Sequence, residues 1–318
     1  MGIPGPGTLS RRDFIGGTVG AGVALASQRA RTADAQMNAR KRTIVDAQVH
    51  LWKAESADWP WVPGRKPQLP EPFTIEKLVP LMDEGGVDRV VIVPPALNDV
   101  NAYALDAVKR YPSRFAVMGR IPLEDPKSAA LLPGWKNQPG MLGVRVTFNT
   151  PATLKWLDDG TADWFWPAAE KNGLPVMFLA FGNVSKFGPI AQRYPGLPLI
   201  IDHMGVNTAI AKEGKMAEKI GDAVALAKYP NVGIKMSNLV NASLQPYPFR
   251  DLDDHLKRVF DAYGPQRCYW GTDLTNTSFT RVSWGQRITH FTEELKFLSE
   301  SDKDWVMGRA IRERLKWA

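Results

Sequence analysis

Thr43-Ile44-Val45-Asp46-Ala47-Gln48-Val49-His50-Leu51-Trp52 is the stretch whose reading decides the fold. Ile44 and Val45 are β-branched and suit an enclosed, pleated surface. Gln48 and His50 are two apart, so both side chains leave a strand on the same face. Two polar groups aimed one way from the carboxyl end of a first strand mark a site at the mouth of a barrel or of an open α/β sheet. A strand end at which both groups simply meet solvent explains the stretch equally well, so the rest of the chain has to decide.

Outward from this strand the pattern alternates. A Trp- and Pro-rich loop follows (Trp52, Trp59-Pro60-Trp61), able to wall a pocket or to pack on a rim. An amphipathic helix over residues 74–86 then stops on Gly85-Gly86. Strands are expected at 88–93, 115–120, 142–148, 175–179, 197–202, 232–236 and 267–271, with helices between them. Tyr111-Pro112, Tyr194-Pro195, Tyr229-Pro230 and Gly264-Pro265 punctuate the turns before strands. Eight such units predict a single (β/α)8 TIM barrel over residues 36–318. A doubly wound open sheet is the alternative, but no Gly-rich dinucleotide fingerprint follows the first strand.

A barrel carries its chemistry where strands end. Those ends supply Gln48 and His50, then Arg120, Arg145, Asp202-His203, Lys235 with Ser237 and Asn238, and Asp273. The fifth strand ends in Phe178-Leu179-Ala180, with nothing ionisable. His255 and His290 fall within helical patterns and read as solvated. Any one polar strand end has a bland explanation; convergence of all of them on one face does not.

Composition is that of a globular chain of 318 residues, 44% hydrophobic and 23% charged. The net charge of +7 is scattered, without a basic run interleaved with aromatics, which fits anionic small molecules and argues against nucleic acid. Cys268 is the only cysteine, so an internal disulfide and a Cys-based zinc site are both excluded.

Ser10-Arg11-Arg12-Asp13-Phe14-Ile15 resembles the twin-arginine export motif. An uncharged Gly/Ala-rich run and Ala33-Asp34-Ala35 follow in the order of a cleavable leader. Residues 1–35 are therefore expected to be removed, leaving a periplasmic or secreted protein with no membrane association.

Asp46-Ala-Gln-Val-His50-Leu-Trp, Gly143-Val-Arg145, Ile201-Asp202-His203-Met-Gly205, Lys235-Met-Ser237 and Gly271-Thr-Asp273 together resemble the amidohydrolase-related family, in its lactonase branch. The resemblance covers roughly residues 43–318. It implies a hydrolase that opens a lactone of a small, anionic carbohydrate- or aromatic-degradation intermediate. Asp273 would activate water, with His50 and His203 as catalytic partners. Gln48, Trp52, Arg120, Arg145, Lys235 and Asn238 would contact substrate, although internal salt bridging explains Arg120, Arg145 and Lys235 as well.

Two departures bear on the metal. Gln48 stands where the family's first strand usually has the first His of His-x-His, and the fifth strand lacks a ligand. The expectation is a metal-free site with no cofactor. One divalent ion such as zinc, held by His50, His203 and Asp273, is the alternative. Lactone isomerisation, metal-dependent decarboxylation and a degenerate binding barrel are the other readings. A homo-oligomer is left open.

Overall fold

Val45–Val49 (β1) is a strand buried along its whole length, and seven more follow in chain order. They are Arg89–Ile92 (β2), Phe115–Gly119 (β3), Met141–Thr147 (β4), Val176–Leu179 (β5), Leu199–Ile201 (β6), Val232–Ser237 (β7) and Cys268–Gly271 (β8). The computed structural model describes Gly2 and residues 42–97, 101–276 and 282–318. The leader expected over residues 1–35 lies outside the described residues. Thr43–Ala318 forms one compact unit.

All the strand pairs are parallel, and the sheet runs β1 to β8 in sequence order. Helices lie between the strands, as a parallel sheet requires. β8 returns to β1: the Asp273 N–H donates to the Gln48 carbonyl at 3.0 Å, and the Thr272 N–H to Asp46 Oδ1 at 2.9 Å. The expected (β/α)8 barrel is the observed architecture. Strand limits agree with the sequence reading to within two residues or so. The helix expected between the third and fourth strands is instead a 3-10 segment, Pro126–Asn137. Pro133 inside it lacks the amide hydrogen that a full α-turn would use.

The barrel interior is stratified. Val45, Ala47, Val91, Met118, Met177, Ile200 and Tyr269 form one apolar cluster, joined by Ala310, Ile311 and Leu315 of the C-terminal helix. That helix closes the amino end of the barrel, where Arg314 reaches the Leu199 and Asn231 carbonyls. Two glycines make room inside. A Cβ on Gly233 would lie 2.4 Å from Tyr269 Oη, and one on Gly143 would lie 2.3 Å from the Pro175 carbonyl oxygen. With the amino end closed and its interior apolar, polar chemistry is left to the carboxyl end.

β1 carries the transition between the layers. Asp46 pairs with Val90 and Val49 with Ile92, so three steps on β1 oppose two on β2. This one-residue bulge lets Ala47 face the apolar interior and the next residue, Gln48, face the polar layer above it.

Two expectations change outside the barrel strands. His290 is 1% exposed and packs against Tyr247, Phe249 and Phe291, so it is a core residue and not a solvated one. Trp52 is buried against Phe73 and holds the first loop to the rim. No helix among the described residues is long and apolar enough to cross a membrane.

Candidate active site

The carboxyl ends of β1, β4, β6 and β8 bring Gln48, His50, Arg145, His203 and Asp273 to one cavity of about 480 Å³, and Arg120 joins them from just beyond β3. Local backbone geometry delivers two of these side chains. His203 and Asp273 follow β6 and β8 with φ of 55° and 51°. Left-handed backbone at non-glycine residues costs on the order of 1–3 kcal/mol each, and the surrounding packing must hold it in place.

His50 and Asp273 form the centre. His50 Nδ1 lies 2.6 Å from the Val93 carbonyl, which can only accept, so Nδ1 carries a hydrogen. The opposite nitrogen, Nε2, stands 3.0 Å from Asp273 Oδ1. An imidazole nitrogen and a carboxylate oxygen at that distance need a proton between them. His203 Nε2 lies 3.4 Å from Asp273 Oδ2, and its Nδ1 is 2.8 Å from Ser237 Oγ. Burial, only partly offset by Asp273 and Asp202, holds His203 below the usual imidazole range, so it stays neutral near pH 7. Phe181 stacks on its ring at the cavity wall.

Beneath this pair lies a buried ionic lock. Arg145 Nε bonds Asp202 Oδ2 at 3.0 Å, and Lys235 Nζ pairs with Asp202 Oδ1 at 2.8 Å. Burial works against the Asp202 carboxylate, but Lys235 and Arg145 together hold it below the ordinary range and therefore ionised. Lys235 also donates to Gln48 Oε1 at 2.7 Å. An ammonium has only hydrogens to offer, so this contact fixes which end of the Gln48 amide is oxygen. Its NH2 then points at His50 Nε2 and His203 Nε2, each at 3.3 Å, and at Asp273 Oδ1 at 3.5 Å.

Three residues expected to touch substrate do not line the cavity. Lys235 is fully buried and engaged by Asp202 and Gln48, which is the internal role open to it from the start. Trp52 packs behind the rim. Asn238 borders a separate small recess with Phe249, Trp270 and His290. In their place the cavity takes Arg65, Lys66 and Gln68 from the first loop and Thr147, Asn149, Thr150 and Thr153 from the segment after Arg145. The adjacent Arg65-Lys66 pair was a signal in the sequence; the neutral threonines and asparagine read there as ordinary loop. Asn101 brackets Arg120 at the backbone, accepting from its N–H at 2.8 Å and donating to its carbonyl at 3.1 Å.

His50, His203 and Asp273 are the right number and type of groups for a three-ligand zinc site. The fourth neighbour spoils the fit. Gln48 presents a donor, not a ligand, to all three, with a cationic Lys235 directly behind it. Among the described residues no cluster of His, Cys, Asp and Glu is arranged to hold an ion. As these side chains stand, the donor set does not suit a metal.

Against known proteins, residues 45–313 match the model of a family described as Amidohydrolase. An L-fucono-1,5-lactonase of Burkholderia ambifaria is 29% identical over 238 residues, which is 72% of this chain and 79% of that protein. A second L-fucono-1,5-lactonase, from Burkholderia multivorans, is 25% identical over 72% of this chain and 81% of its own length. Among solved structures, an amidohydrolase from Burkholderia multivorans with bound zinc superposes with a TM-score of 0.71 at 21% identity, covering 86% of this chain and 99% of that one. At that identity the likeness establishes the fold.

Proposed function

The chain belongs to the amidohydrolase family, and on that premise we propose that it opens the ring of a small lactone, using water activated by Asp273. The observation that carries the proposal is the Asp273 carboxylate held between two imidazoles, 3.0 Å from His50 and 3.4 Å from His203, on the floor of the cavity. The names of the two lactonase relatives support the same reaction class.

The chemistry follows from where the protons sit. With the shared proton on His50 Nε2, Asp273 is an ionised base and His50 a charged acid. Asp273 takes one hydrogen of the attacking water as its oxygen bonds the acyl carbon. His203, neutral and engaged by Ser237 and the Gln48 NH2, fixes the wall beside the carboxylate against which the water sits. Negative charge developing on the acyl oxygen is met by the Arg145 guanidinium, which Asp202 holds in place. The C–O bond of the ring then breaks, and the His50 Nε2 proton goes to the departing alkoxide. The proton on Asp273 returns to His50 across the same 3.0 Å contact, and the product hydroxy acid releases its own proton to solvent.

Substrate class is proposed from the walls. Among the described residues, Arg65, Lys66, Arg120 and Arg145 line the cavity with two carboxylates, Glu124 and Asp273. This balance favours an anionic substrate, with arginine forks suited to a carboxylate. Gln68, Thr147, Asn149 and Thr150 add neutral groups that match ring hydroxyls. The substrate we propose is a hydroxylated or carboxylated lactone of sugar-acid or pyrone type. Export through the leader at residues 1–35, to the periplasm or beyond, belongs to the same proposal.

A panel of sugar, muconic and pyrone lactones, followed by proton release at constant pH, tests it. Catalysed opening of at least one acidic or polyhydroxylated lactone is expected. Failure on the whole panel by folded protein would contradict it.

A further inference from the structure

Gln48 occupies an unusual position. Its NH2 group is within 3.3 to 3.5 Å of three groups that could each bind a cation, His50 Nε2, His203 Nε2 and Asp273 Oδ1. Its oxygen is turned the other way, onto Lys235 at 2.7 Å. We infer that the Gln48 carboxamide stands in for a metal ion: the positive end of its dipole lies among the would-be ligands, holds His203 Nε2 and the Asp273 carboxylate as acceptors, and keeps a divalent cation out. The inference concerns how the site is assembled and holds whichever ester is cleaved.

Three observations carry it. The first is orientation. Lys235 cannot accept a hydrogen bond, so the amide cannot flip to offer its oxygen to a metal without leaving the ammonium. The second is the chain of restraint behind it. Lys235 is anchored by Asp202 at 2.8 Å, Asp202 by Arg145 at 3.0 Å, and all three residues are buried. The third is charge. Arg145, Lys235 and the proton shared at His50 already outweigh Asp202 and Asp273, and Arg120, Arg65 and Lys66 add positive potential at the cavity wall. A dication added there would be left uncompensated in a poorly solvated site, which is strongly unfavourable. An amide dipole occupies the same place at no cost in net charge.

Gln48 is thus a positioning residue, and removing its amide should convert the site to one that accepts an ion. The test is cobalt(II) and zinc(II) binding to the purified full chain, by calorimetry and by the visible absorption of cobalt, for wild type, Gln48→Ala and Gln48→Glu. Ala empties the position. Glu keeps the shape, removes the donors and adds a ligand, so it covers the case in which Ala fails to fold. The expected result is no stoichiometric binding by wild type. At least one folded variant should bind one equivalent about a hundredfold more tightly or better, with the intense bands of four-coordinate cobalt. A side chain that merely packs would move stability alone. One equivalent bound by wild type as tightly as by the variants would overturn the inference. So would refusal of the ion by the folded variants. The readout is binding, so either result is separable from whether a lactone is hydrolysed.

Discussion

His50 Nε2 stands 3.0 Å from Asp273 Oδ1 while its Nδ1 is held by the Val93 carbonyl at 2.6 Å, so one proton joins the two side chains. That relationship sets the predictions about catalysis. The buried charges behind it set those about stability.

The acid role is tested at His50. His50→Gln keeps a polar side chain but has no proton to donate to the alkoxide. We expect a fall in kcat of about 10²–10⁴-fold with a poorly basic leaving group least affected. Equal losses across lactones of different leaving-group pKa would contradict the assignment.

The ionic lock makes an asymmetric prediction. Asp202→Asn leaves both Arg145 and Lys235 buried without their shared carboxylate and should cost about 3–5 kcal/mol. Lys235→Met leaves the Arg145–Asp202 pair intact and should cost clearly less. Urea denaturation of the two variants gives the order; the reverse order would contradict a single carboxylate serving two cations.

Substrate charge is read at the wall. Arg120→Ala should raise KM about 10–100-fold for lactones bearing a carboxylate, the worth of one charge-assisted bond, and change it little for neutral ones. Steady-state kinetics on a matched acid and methyl ester decide it.

Acid stability is governed in part by His290, held down to about 4 by burial against an ordinary 6.5. The unfolded chain takes that proton near pH 6.5 and the folded protein only near 4, so stability is full above 6.5 and falls as pH drops through this window. The loss is on the order of 3 kcal/mol. Asp46 acts oppositely: burial raises it to about 6, and its cost is relieved as pH falls from there toward 3.8. His290→Leu should therefore flatten the acid limb of a stability profile between pH 4 and 7. An unchanged slope would count against the buried neutral imidazole.

Much of the fold was legible because its signals are local. β-branched runs, Tyr-Pro stops and the Gly85-Gly86 cap each act within a few residues, and Gly86 does take a left-handed φ of 68° at the end of its helix. Gln48, His50, Arg120, Arg145, His203 and Asp273 were readable because strand ends of a closed barrel must meet. What escaped the sequence depends on long-range balance. Lys235 looked like a substrate cation, and only the proximity of Asp202 makes it an internal one. The β1 bulge has no marker, since it arises from pairing with β2. Thr147, Asn149 and Thr150 gain meaning only from the cavity they face. His290 followed a helical pattern, but the packing of Tyr247, Phe249 and Phe291 around it encloses that face.

Asp273→Asn is the most direct test of the central claim, that a metal-free carboxylate activates water to open a lactone. The variant keeps the shape and cannot take a proton. Proton release on a lactone turned over by wild type should drop by about 10²–10⁴-fold in kcat with KM little changed, and a chelator should leave wild type unaffected. Full turnover by Asp273→Asn, or wild-type activity abolished by the chelator and restored by zinc, would contradict the account.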